Sequence, residues 1–139
     1  GEPGLPSIVA ADSAVAALVA WLDSVPVATS VSLLGFSQGG AMAVHALRHA
    51  PERFAAVVNL AGFVIPGEAP ADQALLTLVP SVFWGSDPAD PVIPAEAIAR
   101  TAQWLPSHST LAVRHYEGIG HSISREEITD VNQFLRVTV

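Results

Sequence analysis

The sequence predicts a single α/β domain in which a mainly parallel sheet lies between two layers of helices. Segments typical of strands and segments typical of helices alternate along all 139 residues, an order that favours a parallel sheet covered by helices. The strand segments are continuous apolar runs, as expected for strands that are buried on both faces. Half of the residues are hydrophobic and 14% are charged, which favours a packed core over disorder. We therefore treat residues 1–139 as one domain.

The first part of the chain predicts two helices and two strands. Pro6 and Ser7 are typical of a helix start, with Ser7 as the N-cap. An apolar stripe then repeats at steps of three and four residues, and Pro26 ends that segment. The predicted elements are a helix over Ile8–Leu22, a strand over Val31–Phe36, a helix over Gly39–His49 and a strand over Phe54–Leu60.

The second part continues the alternation after a loop over Ala61–Asp72, which carries two glycines and two prolines. Ser124 and Glu127 form a capping box at the start of the last helix. The predicted elements are a strand over Ser81–Gly85, a loop over Ser86–Pro94, a helix over Pro94–Leu105, a strand over Leu111–Tyr116, a turn over Glu117–His121 and a helix over Ser124–Leu135.

Composition excludes several classes of function. The net charge is −7 and the six basic residues, all arginine, do not cluster, which argues against nucleic-acid binding. The chain has no cysteine, so disulfides, zinc–thiolate sites and a thiol nucleophile are excluded. The longest apolar run, Ala14–Leu22, is too short to span a bilayer. With no signal peptide visible, we expect a cytoplasmic protein.

Ser37 is the first candidate for catalysis, because it stands in the G-x-S-x-G pattern Gly35–Gly39 between a predicted strand and a predicted helix. A serine in such a sharp turn projects its hydroxyl, and the backbone amide of Gln38 faces the place where an oxyanion develops. The alternative is an accidental match, which a chain of this length shows about 5% of the time.

A serine nucleophile needs a base and an orienting carboxylate. His121 follows the last predicted strand in a turn with two glycines, which predicts an exposed imidazole at the carboxyl end of that strand. Asp87 and Asp90 both follow the third strand, and spacing alone does not choose between them. Either aspartate could instead cap its own turn, as residues before proline often do.

The other histidines are weaker candidates. His45 and His49 stand four residues apart on a predicted helix, a spacing that can hold a metal ion. No third ligand is apparent in the sequence, so a polar helix face is the favoured interpretation. His108 is predicted in a connecting loop and His115 within a strand.

The order Ser37, aspartate, His121 resembles that of α/β-hydrolases. More specifically, the segments GFSQGGAMAVHAL, WGSDPADPVIP and YEGIGHSIS resemble the phospholipase/carboxylesterase family, which includes acyl-protein thioesterases. The resemblance implies that Ser37 is the nucleophile and His121 the base, with neither metal nor cofactor required. It favours Asp90 over Asp87, because the family's aspartate directly precedes a run similar to the one that begins at Pro91.

The resemblance also implies that the chain is the later half of an α/β-hydrolase fold. Family members begin with further strands, and without them the predicted strand Val31–Phe36 would be an open apolar sheet edge. We therefore expect an N-terminal segment of the same hydrolase, or a second copy of the chain, to pair with it.

The predicted function is hydrolysis of small carboxylic esters or thioesters through a Ser-His-Asp triad. Phe63, Ile65 and Trp84 are candidates for an apolar wall beside the acyl group, although each fits a core position equally well. The alternative is a non-catalytic, hydrolase-like fragment that binds a ligand or a partner. Dienelactone hydrolysis is less favoured, because that family typically uses a cysteine.

Overall fold

A computed structural model describes residues 7–26 and 30–139. Those ranges contain four strands in a single sheet of order β1-β2-β3-β4. Residues 1–6 and 27–29 of the predicted domain lie outside the described residues. Pro6, which the sequence places at the start of the first helix, is among them. The elements are α1 (Ile8–Ser24), β1 (Ser32–Phe36), α2 (Gln38–Leu47), β2 (Ala56–Leu60), α3 (Asp72–Leu78), β3 (Ser81–Ser86), α4 (Ala95–His108), β4 (Thr110–His115) and α5 (Arg125–Thr138), with a 3-10 turn over Pro51–Arg53 between α2 and β2.

All three strand pairings are parallel, and each strand pairs with the next one along the chain. In register, Ser32 lies opposite Ala56, Ala56 opposite Ser81, and Ser81 opposite Thr110. The carboxyl ends of the four strands therefore lie at one edge of the sheet, where ligands of open α/β sheets bind. The loops that follow β1, β3 and β4 meet at this edge.

Helices cover both faces of the sheet, so the predicted three-layer α/β/α fold is confirmed. On one face, α1, α2 and α4 pack against β2 and β3 through residues such as Val57 and Val82. On the other face, α5 packs Val131 and Phe134 against the alternate strand residues, among them Val58. None of the described helices combines the length and the apolar character needed to cross a membrane.

The predicted caps are present. Ser7 accepts a hydrogen bond from the Ala10 amide at 3.0 Å, and Ser124 and Glu127 form the capping box at the start of α5. Several element bounds differ from the predicted ones by a few residues, and one helix was not predicted. That helix, α3, begins at the last residue of the predicted loop, and α4 continues through Pro106 to His108. His108 is therefore in the last turn of a helix and not in a connecting loop.

Strand β1 pairs with β2 on one side only, and no strand among residues 7–26 and 30–139 pairs with its other side. Within the described residues β1 is therefore not a buried strand but the open apolar edge that the sequence analysis expected in the absence of further strands. On the α5 face of β1, Leu34 is 57% exposed and Phe36 is 39% exposed. A row of unpaired backbone groups beside exposed apolar side chains is a template for pairing with another segment.

Candidate active site

Ser37 occupies the turn between β1 and α2 in a strained backbone conformation. Its φ of 59° and ψ of −121° lie in a region that residues with a side chain rarely adopt. Two hydrogen bonds hold this conformation. The Ser37 amide donates to the Leu60 carbonyl at 2.8 Å, and the Ser37 carbonyl accepts from the Ala41 amide at 3.2 Å. This conformation places the Ser37 hydroxyl at the carboxyl end of the sheet.

The glycines around Ser37 are not equivalent. A Cβ atom on Gly35 would collide with the backbone carbonyl of Gly39, because α2 crosses directly over the end of β1. A Cβ atom on Gly40 would lie 2.6 Å from Oδ1 of Asn59. A Cβ atom on Gly39 would meet nothing within 4 Å. The close approach of helix and strand therefore depends on Gly35 and Gly40.

Three side chains from three loops form one hydrogen-bonded chain. Nε2 of His121 lies 2.9 Å from Oγ of Ser37, and Nδ1 of His121 lies 2.7 Å from Oδ2 of Asp90. The Asp90 side chain is 1% exposed and the His121 side chain is 18% exposed. The imidazole packs against the ring of Phe36, with centroids 4.9 Å apart. This arrangement can move a proton from the serine hydroxyl to the imidazole while the carboxylate fixes the ring.

The two candidate aspartates have different partners. Oδ1 of Asp90 accepts hydrogen bonds from the amides of Val92 and Ile93, which leaves Oδ2 for His121. Asp87 accepts instead from the amide of Ala89 at 2.9 Å and from the amide of Gly120 at 2.9 Å.

These backbone hydrogen bonds, from Ala89 first and then from Gly120, lower the pKa of Asp87 and keep it ionised. Asp87 therefore anchors the backbone of the histidine turn, while Asp90 contacts the histidine ring.

Gln38 is the first residue of α2, so its amide has no partner within the helix and lies at the positive end of the helix dipole. A carbonyl oxygen of a group bonded to Ser37 would face this end of the helix. The arrangement can stabilise a developing negative charge beside the serine.

Asn59 lies next to the turn that carries Ser37, and the sequence patterns did not identify it as a candidate residue. The residue is fully buried in β2, and its Nδ2 donates weakly to the Phe63 carbonyl at 3.4 Å. Its Oδ1 points toward Gly40 and Gly62 and has no hydrogen-bond partner among the described residues. The available signal was a lone amide within the apolar run AVVNLAG, because a buried polar side chain in a central strand needs a reason.

The three candidates for an acyl wall are all buried. Phe63 and Ile65 pack with Ala41 and Ile93 in a cluster beneath α2 and α4. Trp84 belongs to the larger core on the same face of the sheet. The structure brings none of these side chains to an exposed surface, so their contact with an acyl group stays a prediction.

Comparisons with known proteins identify the family of the chain. A model of the phospholipase/carboxylesterase family matches residues 7–139, and the chain belongs to that family, as its motifs predict. It is 31% identical to acyl-protein thioesterase 1 of Gibberella zeae over 121 residues, which are 83% of this chain and 51% of that protein. It is 27% identical to acyl-protein thioesterase 1 of Saccharomyces cerevisiae over 106 residues, which are 73% of this chain and 47% of that protein.

A solved structure extends the likeness to the fold. The crystal structure of a phospholipase/carboxylesterase from Dyadobacter fermentans aligns with a TM-score of 0.73 at 22% identity, covering 97% of this chain and 70% of that one. At this identity the match shows the fold alone. The chain spans about half the length of the curated relatives it matches.

Proposed function

We propose that the chain carries the nucleophile, base and acid of a hydrolase that cleaves small carboxylic esters or thioesters. The hydrogen-bonded chain from Ser37 through His121 to Asp90, at the carboxyl edge of a parallel sheet, is the observation that carries this proposal. The curated relatives named acyl-protein thioesterase 1 support a thioester as well as an ester. A purely binding fragment would not need a serine held at positive φ.

In the proposed reaction, Oγ of Ser37 bonds to the acyl carbon while Nε2 of His121 takes the hydroxyl proton. The carbonyl oxygen becomes an oxyanion that accepts a hydrogen bond from the Gln38 amide. When the bond to the leaving alcohol or thiol breaks, His121 returns the proton to it. Water then attacks the acyl-enzyme by the same steps, which releases the acid and restores Ser37.

We further propose that an N-terminal segment of the same hydrolase pairs with the free edge of β1. Beside that edge lies an apolar groove of about 230 Å³ between α1, β1 and α2. Its lining includes Leu18, Leu33, Leu34, Gly39 and Met42. The exposed side chains of β1 and the half-length match to curated relatives both favour a missing strand of the same protein.

The sheet-pairing proposal predicts association through β1. Leu34→Lys places a charge on the exposed edge and should abolish pairing without disturbing the buried core. Native mass spectrometry shows which polypeptide pairs with β1. A bound N-terminal segment supports the proposal, whereas a dimer of this chain or a stable monomer contradicts it. The cytoplasmic location stays a prediction from composition.

The hydrolase proposal is tested by labelling with a fluorophosphonate probe, followed by peptide mapping of the adduct. Label on Ser37, together with loss of label and a fall in ester turnover of about 10^4 or more in Ser37→Ala, is the expected result. Ser122 provides the matched control, because it is an exposed serine beside His121 whose hydroxyl donates to the Ile119 carbonyl. Ser122→Ala should keep both label and turnover. Persistent label in Ser37→Ala would show that another residue reacts and would contradict the role of Ser37. A folded protein that never reacts would favour the non-catalytic alternative.

A further inference from the structure

A second cluster of polar side chains joins α1 to α2. Nε2 of His45 lies 2.8 Å from Oδ1 of Asp12, and Nε2 of His49 lies 2.9 Å from the same oxygen. The two Nε2 atoms are 3.3 Å apart. Asp12, His45 and His49 thus direct three potential metal-ligating atoms, all within 4.8 Å of one another, toward one point.

The helices bring these residues together. His45 lies in the last turn of α2 and His49 in the turn that follows the helix, with the centroids of the two rings 4.9 Å apart. Asp12 comes from the second turn of α1, which packs against α2. The sequence supplied the histidine pair but no third ligand, because Asp12 is 33 residues from His45 and only the packing of the two helices joins them.

The distances fit a tetrahedral metal site. Zinc binds imidazole nitrogen at about 2.0–2.1 Å, so two ligands in a tetrahedral site lie about 3.3 Å apart. The observed separation of the two Nε2 atoms is 3.3 Å. Each nitrogen–oxygen distance, at 2.8 and 2.9 Å, would lengthen by about half an ångström on binding. A rotation of the half-exposed Asp12 side chain is sufficient for that change.

The chemistry of the three side chains also suits a cation. Imidazole nitrogen and carboxylate oxygen are metal ligands in their deprotonated forms, and the cluster supplies two of the first and one of the second.

We propose that Asp12, His45 and His49 bind a divalent transition-metal ion of the zinc class and clamp α1 onto α2. Two imidazole nitrogens and one carboxylate oxygen suit zinc, cobalt, nickel or copper, whereas magnesium and calcium prefer oxygen ligands throughout. Three protein ligands leave one position for water. Asp12 is 44% exposed and His49 is 21% exposed, which gives the ion a path from solvent. The site does not depend on the proposed hydrolysis at Ser37.

Zinc titration of the purified protein by isothermal calorimetry, after removal of any affinity tag, tests the proposal. One zinc ion per chain is expected, with a rise in the thermal unfolding midpoint on saturation. Asp12→Asn and His49→Gln should each weaken binding by at least about 10-fold, because even changes next to a metal ligand cost that much. Cobalt in place of zinc should give the visible absorption bands of a tetrahedral ion, and these bands should vanish in His49→Gln.

His115→Gln is the matched control, because this exposed histidine on β4 lies against Trp84 and away from the cluster. Its zinc affinity should stay within about twofold of the parent protein. Asp12 lies on α1 and His49 in the turn after α2, and both are partly exposed. At least one of the two variants should therefore fold, as circular dichroism will show. No zinc binding by the parent protein, or equal affinity in the parent and both test variants, would overturn the proposal. If the variants unfold at lower temperature but zinc does not change the unfolding midpoint of the parent protein, the cluster stabilises the contact of α1 with α2 by hydrogen bonds alone. That result would also overturn the proposal.

Discussion

Asp90 holds the ring of His121 with one carboxylate oxygen and its own turn with the other. Oδ2 lies 2.7 Å from Nδ1 of His121, while Oδ1 accepts from the Val92 amide at 2.8 Å. The backbone hydrogen bonds to Oδ1 leave Oδ2 facing the imidazole. If Nδ1 of His121 carries the proton and donates it to Oδ2, Nε2 faces Ser37 without a proton, which is the form required of a general base.

Replacing Asp90 by asparagine should lower ester turnover by about 10^4, because an amide favours the wrong imidazole tautomer. Asp87→Asn is the matched variant, since the hydrogen bonds of Asp87 go to the backbone amides of Ala89 and Gly120 and not to the imidazole. It should cost far less turnover. Steady-state kinetics of both folded variants make the comparison, and a larger loss in Asp87→Asn would assign the orienting role to Asp87.

The unequal glycines predict opposite effects on stability. Gly35→Ala should lower the free energy of unfolding by about 3 kcal/mol or more, because the methyl group collides with the Gly39 backbone. Gly39→Ala should raise it by about 0.5–1 kcal/mol, since alanine is the better helix former and the space is open. Urea unfolding measures both, and equal losses would contradict the close approach of helix and strand at Gly35.

Arg48 is a buried cation whose removal should be costly. It donates to both oxygens of Asp72 at 2.8 Å and to the carbonyls of Ile65 and Gly67. Arg48→Met should destabilise the fold by about 3–5 kcal/mol, because a carboxylate and two carbonyls lose their partner.

Arg53 provides the control for Arg48, because it forms an exposed ion pair with Asp23. Arg53→Met should cost less than about 1 kcal/mol. Denaturant unfolding compares the two variants, and similar losses would show that the Arg48 contacts contribute little.

Glu127 should make stability depend on pH. Burial raises its pKa, and the negative charge of Asp130 raises it further, although the Ser124 amide opposes both effects. The folded state therefore holds the proton to higher pH than the unfolded state, and stability falls as pH rises through that interval. Glu127→Gln keeps the capping geometry and removes the loss of stability that comes from ionising the buried carboxyl. It should therefore raise the thermal unfolding midpoint at pH 7.

The gain from Glu127→Gln should shrink toward zero as pH falls below 4.5, the ordinary value for this carboxyl. Glu126→Gln, one residue earlier in the same turn but exposed, should give no such gain. Thermal melts at pH 4 and pH 7 measure the difference. A gain that does not change with pH would contradict the burial of a charge at Glu127.

The strands, Ser37 and His121 were predictable because they depend on local signals, whereas Asp90 was favoured over Asp87 only through the family resemblance. Apolar runs place the strands, and parallel pairing then brings the three loops to one edge. Helix α3 was missed because its seven residues, Asp72–Leu78, are too few to show a clear period. Asp12 was missed as a partner of His45 for a different reason: only tertiary packing joins two helices.

Trp84 shows the remaining limit of sequence patterns, because a core residue and a residue of an apolar pocket are chemically alike. Only the packing of α4 and α2 places the indole in the core. The choice between Asp87 and Asp90 was similar, since both follow β3 within a few residues and only the course of the loop decides which carboxylate reaches the imidazole.

The sequential strand order has a consequence for synthesis on the ribosome. Each strand pairs with the one made just before it, so the sheet can grow from β1 to β4 as the chain emerges. The turn that carries Ser37 should form early, but the imidazole of His121 should arrive only after β4 has docked. A nascent chain stalled before His121 should therefore have a formed sheet and an unreactive serine. Pulsed hydrogen exchange on stalled chains would detect this order, and a reactive Ser37 in the shorter chain would contradict it.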